Sequence, residues 1–364
     1  MNRLPIRIAQ VAPLYESTPP ALYGGTERVV SYLTEELVRQ GHEVTLFASG
    51  DSTTRAKLIA PCSKAIRLDG DCHDPLAAHL VMLGEVYRHA PAFDVIHFHI
   101  DYLHFPTSAL HSTPNLTTLH GRLDLPALGM VYRQFREVPL ISISDSQRRP
   151  IPWANWRATI FHGLPEDLYK LERSPGKYLA FLGRISPEKR VDRAIEVAKR
   201  VGMPIRIAAK VDRVDADYFE TKIKPLLNHP LVEFIGEVGE REKQELLGGA
   251  YALLFLIDWP EPFGLAMIEA MACGTPVIAS AHGSVPEIVE DGVNGYVVNS
   301  LGEAAAAVHR VGSLSREACR RDFEERFTVS RMAMNYVAQY MQLRTGGLEA
   351  LSSDLSGALC DEPA

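Results

Sequence analysis

The chain has 364 residues, 46% of them hydrophobic, which is enough to bury a large core and, at roughly 150 residues per domain, to build two domains. Its formal charge is 38 minus 45, or −7, a balance that argues against a nucleic-acid binder or a polybasic membrane anchor. No apolar run reaches the roughly 20 residues that span a bilayer, and the start Met1-Asn2-Arg3-Leu4-Pro5 lacks the hydrophobic core of a secretory signal, so a cytoplasmic protein is expected.

In chain order, the first unit reads as a strand (Ile6 to Val11), a Pro-rich loop ending in Gly24-Gly25, a helix from about Thr26 to Gln40, and a strand Val44 to Ala48. Thr26 is placed to cap the helix, Val29, Leu33 and Leu37 to form its apolar stripe, and Gly41 to end it. Short apolar runs follow at Val95 to His99, Leu116 to His120, Ile141 to Ser144 and Thr159 to His162, separated by helical or loop segments as a parallel sheet requires. The polar stretch Pro165 to Lys177 reads as a linker. A second series of runs then appears at Tyr178 to Leu182, Ile205 to Ala209, Val232 to Ile235, Ala252 to Ile257, Val277 to Ala279 and Tyr296 to Val298. Two doubly wound domains of this kind form a cleft between their strand ends, where open sheets bind ligands. A helical region ends near Leu343, and the tail after Thr345-Gly346-Gly347 is expected to be flexible.

The cysteines, Cys62, Cys72, Cys273, Cys319 and Cys360, are dispersed and odd in number, which fits reduced thiols better than a disulfide framework or a metal site.

Chemistry concentrates in Glu261-Pro262-Phe263-Gly264-Leu265-Ala266-Met267-Ile268-Glu269. Pro262 biases Glu261 toward an extended loop conformation, Gly264 lets a ligand approach the backbone, and the apolar run after it continues at helical period, which places Glu269 inside a helix. Uncompensated amides at that helix start favour an anion such as a diphosphate. A diphosphate flanked by two hydroxyl-binding carboxylates describes a nucleotide sugar. Gly183-Arg184-Ile185-Ser186-Pro187-Glu188-Lys189, after the first strand of the second half, adds a planar cation and a mobile one that can clamp the same diphosphate.

With Gly24-Gly25-Thr26-Glu27 and Thr118-Leu119-His120-Gly121, these segments resemble, in order and over nearly the whole chain, the family-four retaining glycosyltransferases of the GT-B fold. The resemblance implies an α/β protein with two Rossmann-like domains facing each other across a cleft. Residues 1–170 would bind the acceptor and 171–330 the nucleotide sugar, 331–345 would be a helix packing back on the first domain, and 346–364 a flexible tail. It also implies that Gly24 and Gly25 bring backbone amides to the donor phosphate and that Arg184 and Lys189 bind the diphosphate. Glu261 would contact the donor sugar, Glu269 the ribose hydroxyls and His120 the transferred sugar, while Phe263, Gly264 and Leu265 present backbone amides and Val238 meets the base.

The reaction implied is transfer of a hexosyl group from a nucleoside-diphosphate sugar, UDP-glucose-like before GDP-mannose, to an unidentified hydroxyl acceptor. Configuration would be retained and no metal or other cofactor required. A nucleotide-sugar epimerase or hydrolase on the same fold, and a non-catalytic two-domain sugar-binding protein, are the competing readings. No Gly-x-Gly-x-x-Gly follows any strand, which disfavours a dehydrogenase.

Other features invite alternative chemistry. Asp215-Ala216-Asp217 and Asp69-Gly70-Asp71 match a cation-holding triplet but lie outside the constellation, and His97 with His99 would share one strand face without an identifiable third ligand. Lys210 could add a phosphate contact or be a solvated loop lysine, and His282 stands where a smaller residue is expected. Arg148 and Arg149 with Trp153 and Trp156 could meet a lipid-linked acceptor or pack locally, and peripheral membrane contact would follow from the former.

Overall fold

The computed structural model describes residues 4–69 and 74–358, with side chains to 344. Cys72, Cys360 and the Gly70-Asp71 part of one acidic triplet fall outside them. Seven parallel strands form the first sheet: β1 (Arg7–Val11), β2 (Glu43–Phe47), β3 (Lys57–Ile59), β4 (Val95–Phe98), β5 (Asn115–Thr118), β6 (Leu140–Ser142) and β7 (Trp156–Thr159), in the order β3-β2-β1-β4-β5-β6-β7. Six more form the second: β8 (Leu179–Arg184), β9 (Ile205–Lys210), β10 (Val232–Gly236), β11 (Ala252–Phe255), β12 (Val277–Ser280) and β13 (Gly295–Val298), in the order β10-β9-β8-β11-β12-β13. Central strands such as β4, β11 and β12 are buried along their whole length, because helices cover both faces of each sheet. This is the two-domain, doubly wound α/β architecture expected.

Two local expectations are corrected. The first helix runs Gly25–Arg39 with Gly24 rather than Thr26 at its cap, and no side chain caps it. Gly24 adopts φ 146°, and a Cβ there would lie 2.8 Å from Pro20 Cβ, so the entry is made by a glycine turn and not by a hydroxyl. The apolar run expected as a strand at Thr159 to His162 leaves the sheet at Thr159; Phe161 instead packs against Phe263 and Phe327 between the domains. Burial without pairing looks the same as a strand in sequence. The stretch Pro165 to Lys177 joins the two sheets and is held to the second domain: Arg320 donates to the carbonyls of Glu166 and Tyr169 (2.7 Å each), and the Glu172 amide donates to the Cys273 carbonyl at 3.0 Å.

The chain crosses between domains twice, and the crossings lie side by side. Leu164 N–H donates to Phe327 O at 2.9 Å, and Val329 N–H donates to Leu164 O at 2.8 Å. Gly163 is required there, since a Cβ would fall 2.3 Å from Thr328 O. After the second crossing the helix Val329–Ala358, longer than the 331–345 span expected, lays Met332, Ala333, Tyr336, Val337 and Tyr340 against Ile8, Val29 and Leu33 of the first domain. Leu33 is fully buried in that cluster. Leu33→Ala is expected to lower the unfolding free energy by about 2–5 kcal/mol, read from urea denaturation.

Candidate functional site

The carboxyl ends of the two sheets face one another across a cleft of about 590 Å³. His120, Arg184, Lys189, Glu261, Gly24, Gly25, Val238, Phe263, Gly264, Leu265 and Glu269 all line it, although they span some 245 positions of sequence, from 24 to 269.

On the C-terminal side, Gly264 caps the helix Leu265–Ala272 at φ 86°, where a Cβ would come within 2.7 Å of Met267 Cε. The Phe263 ring is driven into the interdomain core against Phe161, His162 and Phe327, which turns the backbone of residues 263–265 toward the cleft. Glu269 is buried and receives Lys243 Nζ at 2.9 Å and the Tyr169 hydroxyl at 3.4 Å. Lys243 also pairs with Glu240 at 3.1 Å, and Glu240 takes Arg28 Nη1 from the opposite domain at 2.6 Å. The Tyr23 amide donates to Glu237 Oε1 at 3.0 Å in a second contact across the cleft.

Glu261 is held from three directions. Lys189 Nζ and Trp259 Nε1 (3.0 Å) both donate to its Oε2, and Ser284 N–H donates to its carbonyl at 2.9 Å. The Lys189 ammonium sits 4.9 Å over the Trp259 ring, a cation–π contact. Arg184 pairs with Glu188 (3.1 Å) and Asp212 (3.3 Å), with Asp215 at 3.9 Å, so one member of the Asp215-Asp217 triplet belongs to the arginine's counter-charge. Lys210 lines the cleft as well, 3.2 Å from Asp212 and over the Tyr23 ring.

On the N-terminal side, His120 Nε2 lies 2.9 Å from His99 Nδ1, and its ring stacks on that of His162 at 5.2 Å and 17°. Burial pushes His120 down to about 3 and pushes His99 and His162 well below the usual imidazole range, so all three are neutral at physiological pH. No group of three side chains able to hold a metal occurs among the described residues, and His97 and His99 are instead hydrogen-bonded to Tyr340 of the C-terminal helix and Gln10 of β1. Two carboxyls on this wall are raised by burial, Glu27 to about 7 and Asp101 to about 6. Water reaches Asp101 from the cleft, yet the walls enclose it; its φ of 52° is uncommon for a non-glycine residue.

Sequence reasoning missed His162, Trp259, Lys243, Tyr169 and the Gly283-Ser284 turn. The signal for Gly283 is weak before the fold is known: it sits at φ 58°, with a Cβ that would collide with Glu261 N and O at 2.3 Å. His282 lies outside the cleft lining, half-exposed and 4.0 Å from Asp258. Trp153 and Trp156 pack locally under Arg133 and Arg148, and Trp156 Nε1 donates to Ile151 O at 3.0 Å.

Residues 23–161 match the family described as Glycosyltransferase Family 4, and residues 169–327 match Glycosyl transferases group 1. The chain belongs to the group 1, family 4 glycosyltransferases. Among members of the family, D-inositol 3-phosphate glycosyltransferase of Mycolicibacterium smegmatis is 28% identical over 215 residues, a match covering 58% of this chain and 45% of that protein. The structure of sucrose-phosphate synthase from Thermosynechococcus elongatus superposes with a TM-score of 0.77 at 18% identity, over 94% of this chain and all of that one. Anabaena HepE in complex with UDP and glucose gives 0.71 at 18% identity, over 93% of this chain and all of that one. These likenesses establish the GT-B fold. No helix among the described residues is long and apolar enough to cross a membrane.

Two outcomes follow from the site's construction. Gly283→Ala, which cannot keep its backbone without displacing Glu261, is expected to reduce turnover about tenfold or more while leaving the far-UV circular dichroism unchanged. The neutral histidines make the fold acid-sensitive. Their folded-state pKa values lie below the unfolded value of 6.5, so the unfolded chain binds more protons; stability present above pH 6.5 is lost as pH falls toward about 3. Chemical denaturation at a series of pH values will read that slope.

Proposed function

We propose that this protein is a retaining hexosyltransferase that uses a nucleoside-diphosphate sugar, UDP-glucose-like before GDP-mannose, and transfers to a hydroxyl acceptor. The observation that carries this reading is the convergence on one cleft of Lys189 and Arg184 with Glu261, across the Gly264 helix start from Glu269. Cations beside a helix N-terminus suit a diphosphate, and carboxylates to either side suit the sugar and ribose hydroxyls. The likeness to HepE, whose structure is a complex with UDP and glucose, supports a uridine nucleotide.

In this reading Arg184 and Lys189 stabilise negative charge on the leaving diphosphate, aided by amides of residues 263–265 and of the Gly24-Gly25 turn. Glu261, fixed through one oxygen by Lys189 and Trp259, keeps the other for the donor sugar. Glu269 takes the ribose, Val238 backbone the base, and His120 the transferred sugar. The acceptor hydroxyl approaches the face from which the diphosphate leaves, and a phosphate oxygen takes its proton, so neither an enzymic nucleophile nor a metal is needed. The protein's contribution is positioning and charge stabilisation.

Calorimetric titration with UDP, GDP, ADP and TDP, each with and without EDTA, tests the donor class. One diphosphate is expected to bind equally well in EDTA; binding only with a divalent cation, or none at all, overturns the reading. Glu261→Gln is expected to cut transfer about 10²-fold with nucleotide affinity nearly kept. Glu269→Ala and Arg184→Ala should each weaken UDP binding about tenfold, roughly 1.4 kcal/mol, and only the former should weaken binding of uridine.

A further inference from the structure

Behind His120 a line of hydrogen bonds runs through the first sheet to the C-terminal helix. His120 Nε2 meets His99 Nδ1 at 2.9 Å, and His99 Nε2 meets Gln10 Oε1 at 2.8 Å. Gln10 Nε2 donates to the Tyr340 hydroxyl at 3.1 Å, which meets His97 Nδ1 at 2.8 Å. His97 Nε2 meets Thr118 Oγ1 at 2.8 Å, and Thr118 meets the Tyr336 hydroxyl at 2.9 Å. Gln10, His97, His99, Thr118, Tyr336 and Tyr340 are all buried.

A neutral imidazole has one N–H and one lone pair, so each link fixes the next. The Gln10 amide offers its oxygen to His99 and its nitrogen to Tyr340. His99 therefore carries its proton on Nε2 and leaves Nδ1 bare, and His120 must donate from Nε2. That leaves His120 Nδ1 without a proton, and Nδ1 is a buried atom with no partner in the protein. The reversed line, with the Gln10 amide turned over, would put an N–H on that atom. A ring N–H orphaned in the interior is rarer and harder to relieve than a bare lone pair, while the hydroxyl proton of Tyr336 at the far end can turn about its C–O bond. Aligned links of this kind also polarise one another in one direction.

We propose that Gln10, His99 and Tyr340 are positioning residues that fix His120 as its Nε2–H tautomer, leaving an acceptor lone pair on Nδ1 as its one unspent polar function. His120 then has no ring N–H left to deliver, because its Nε2–H is spent on His99. This rests on the reading that His120 faces the transferred sugar. It also makes the C-terminal helix, which packs behind the sheet and none of whose described side chains lines the cleft, part of the catalytic arrangement through Tyr340.

The test reads the tautomer directly and needs neither donor nor acceptor. Protein labelled with ¹⁵N-histidine is recorded by long-range proton–nitrogen correlation at neutral pH, and the His120 ring is assigned by its loss in His120→Asn. The expected pattern is a bare Nδ1 and a protonated Nε2. Tyr340→Phe frees the Gln10 amide to turn, so His120 should shift toward a mixture of tautomers, with kcat for sugar transfer falling about tenfold and UDP affinity unchanged. Tyr336→Phe, equally buried on the same helix but beyond Thr118, is the packing control and should leave the His120 signals in place.

A protonated Nδ1 in the wild type, or His120 signals unmoved by Tyr340→Phe, overturns the proposal, as does an equal shift in both phenylalanine variants. If the tautomer behaves as expected while no sugar transfer is found, the positioning stands and the proposed function fails.

Discussion

Each half of this molecule holds an incomplete set of groups, and the site exists because the two crossings at 163–164 and 327–329 run against each other. Their shared backbone hydrogen bonds set the sheets with strand ends opposed. Neither crossing would do so alone: a single connection leaves two domains free to swivel, whereas a paired one defines an axis. The interdomain aromatic cluster of Phe161, Phe263 and Phe327 is built directly beside it and carries the turn that presents residues 263–265 to the cleft.

Charge in the cleft is arranged with compensation. Lys189 is matched by Glu261, Arg184 by Glu188 and Asp212, and Lys243 by Glu269 and Glu240. These partners are largely withdrawn from solvent; Lys243 and Glu269 side chains, for instance, are 12% and 4% exposed, so unpaired ions there would be costly and the pairs are screened little by salt. An anion entering such a site exchanges one set of counter-charges for another rather than neutralising bare cations. The opposite wall has the reverse character, with buried neutral histidines and carboxyls whose burial favours the protonated form.

The parts legible in sequence are those whose chemistry is local. Strand cores, the glycine turn at 264, and the two carboxylates at 261 and 269 could be read because spacing alone puts a loop, a cap and a helix in register. The supporting groups could not. Trp259 stands two residues before Glu261, yet nothing in the string says that its indole N–H turns back onto that carboxylate. Lys243 and Tyr169 reach Glu269 from segments 26 and 100 residues away. Gln10 and Tyr340 are 330 apart and meet only because the last helix returns to the first domain. The run ending at His162 misled for a physical reason: an apolar segment feeding an interdomain core has the composition of a strand without its pairing.

Gly163 bears on how the molecule can move. Because no side chain fits between it and Thr328, the two crossing segments are locked in register and cannot slide past one another. A rotation that widens the cleft would turn about this close contact, as shears open on a pivot. Displacement then grows with distance from the pivot. Arg28–Glu240, Tyr23–Glu237 and Lys210 over the Tyr23 ring, which span the cleft, are among the contacts such a rotation would part.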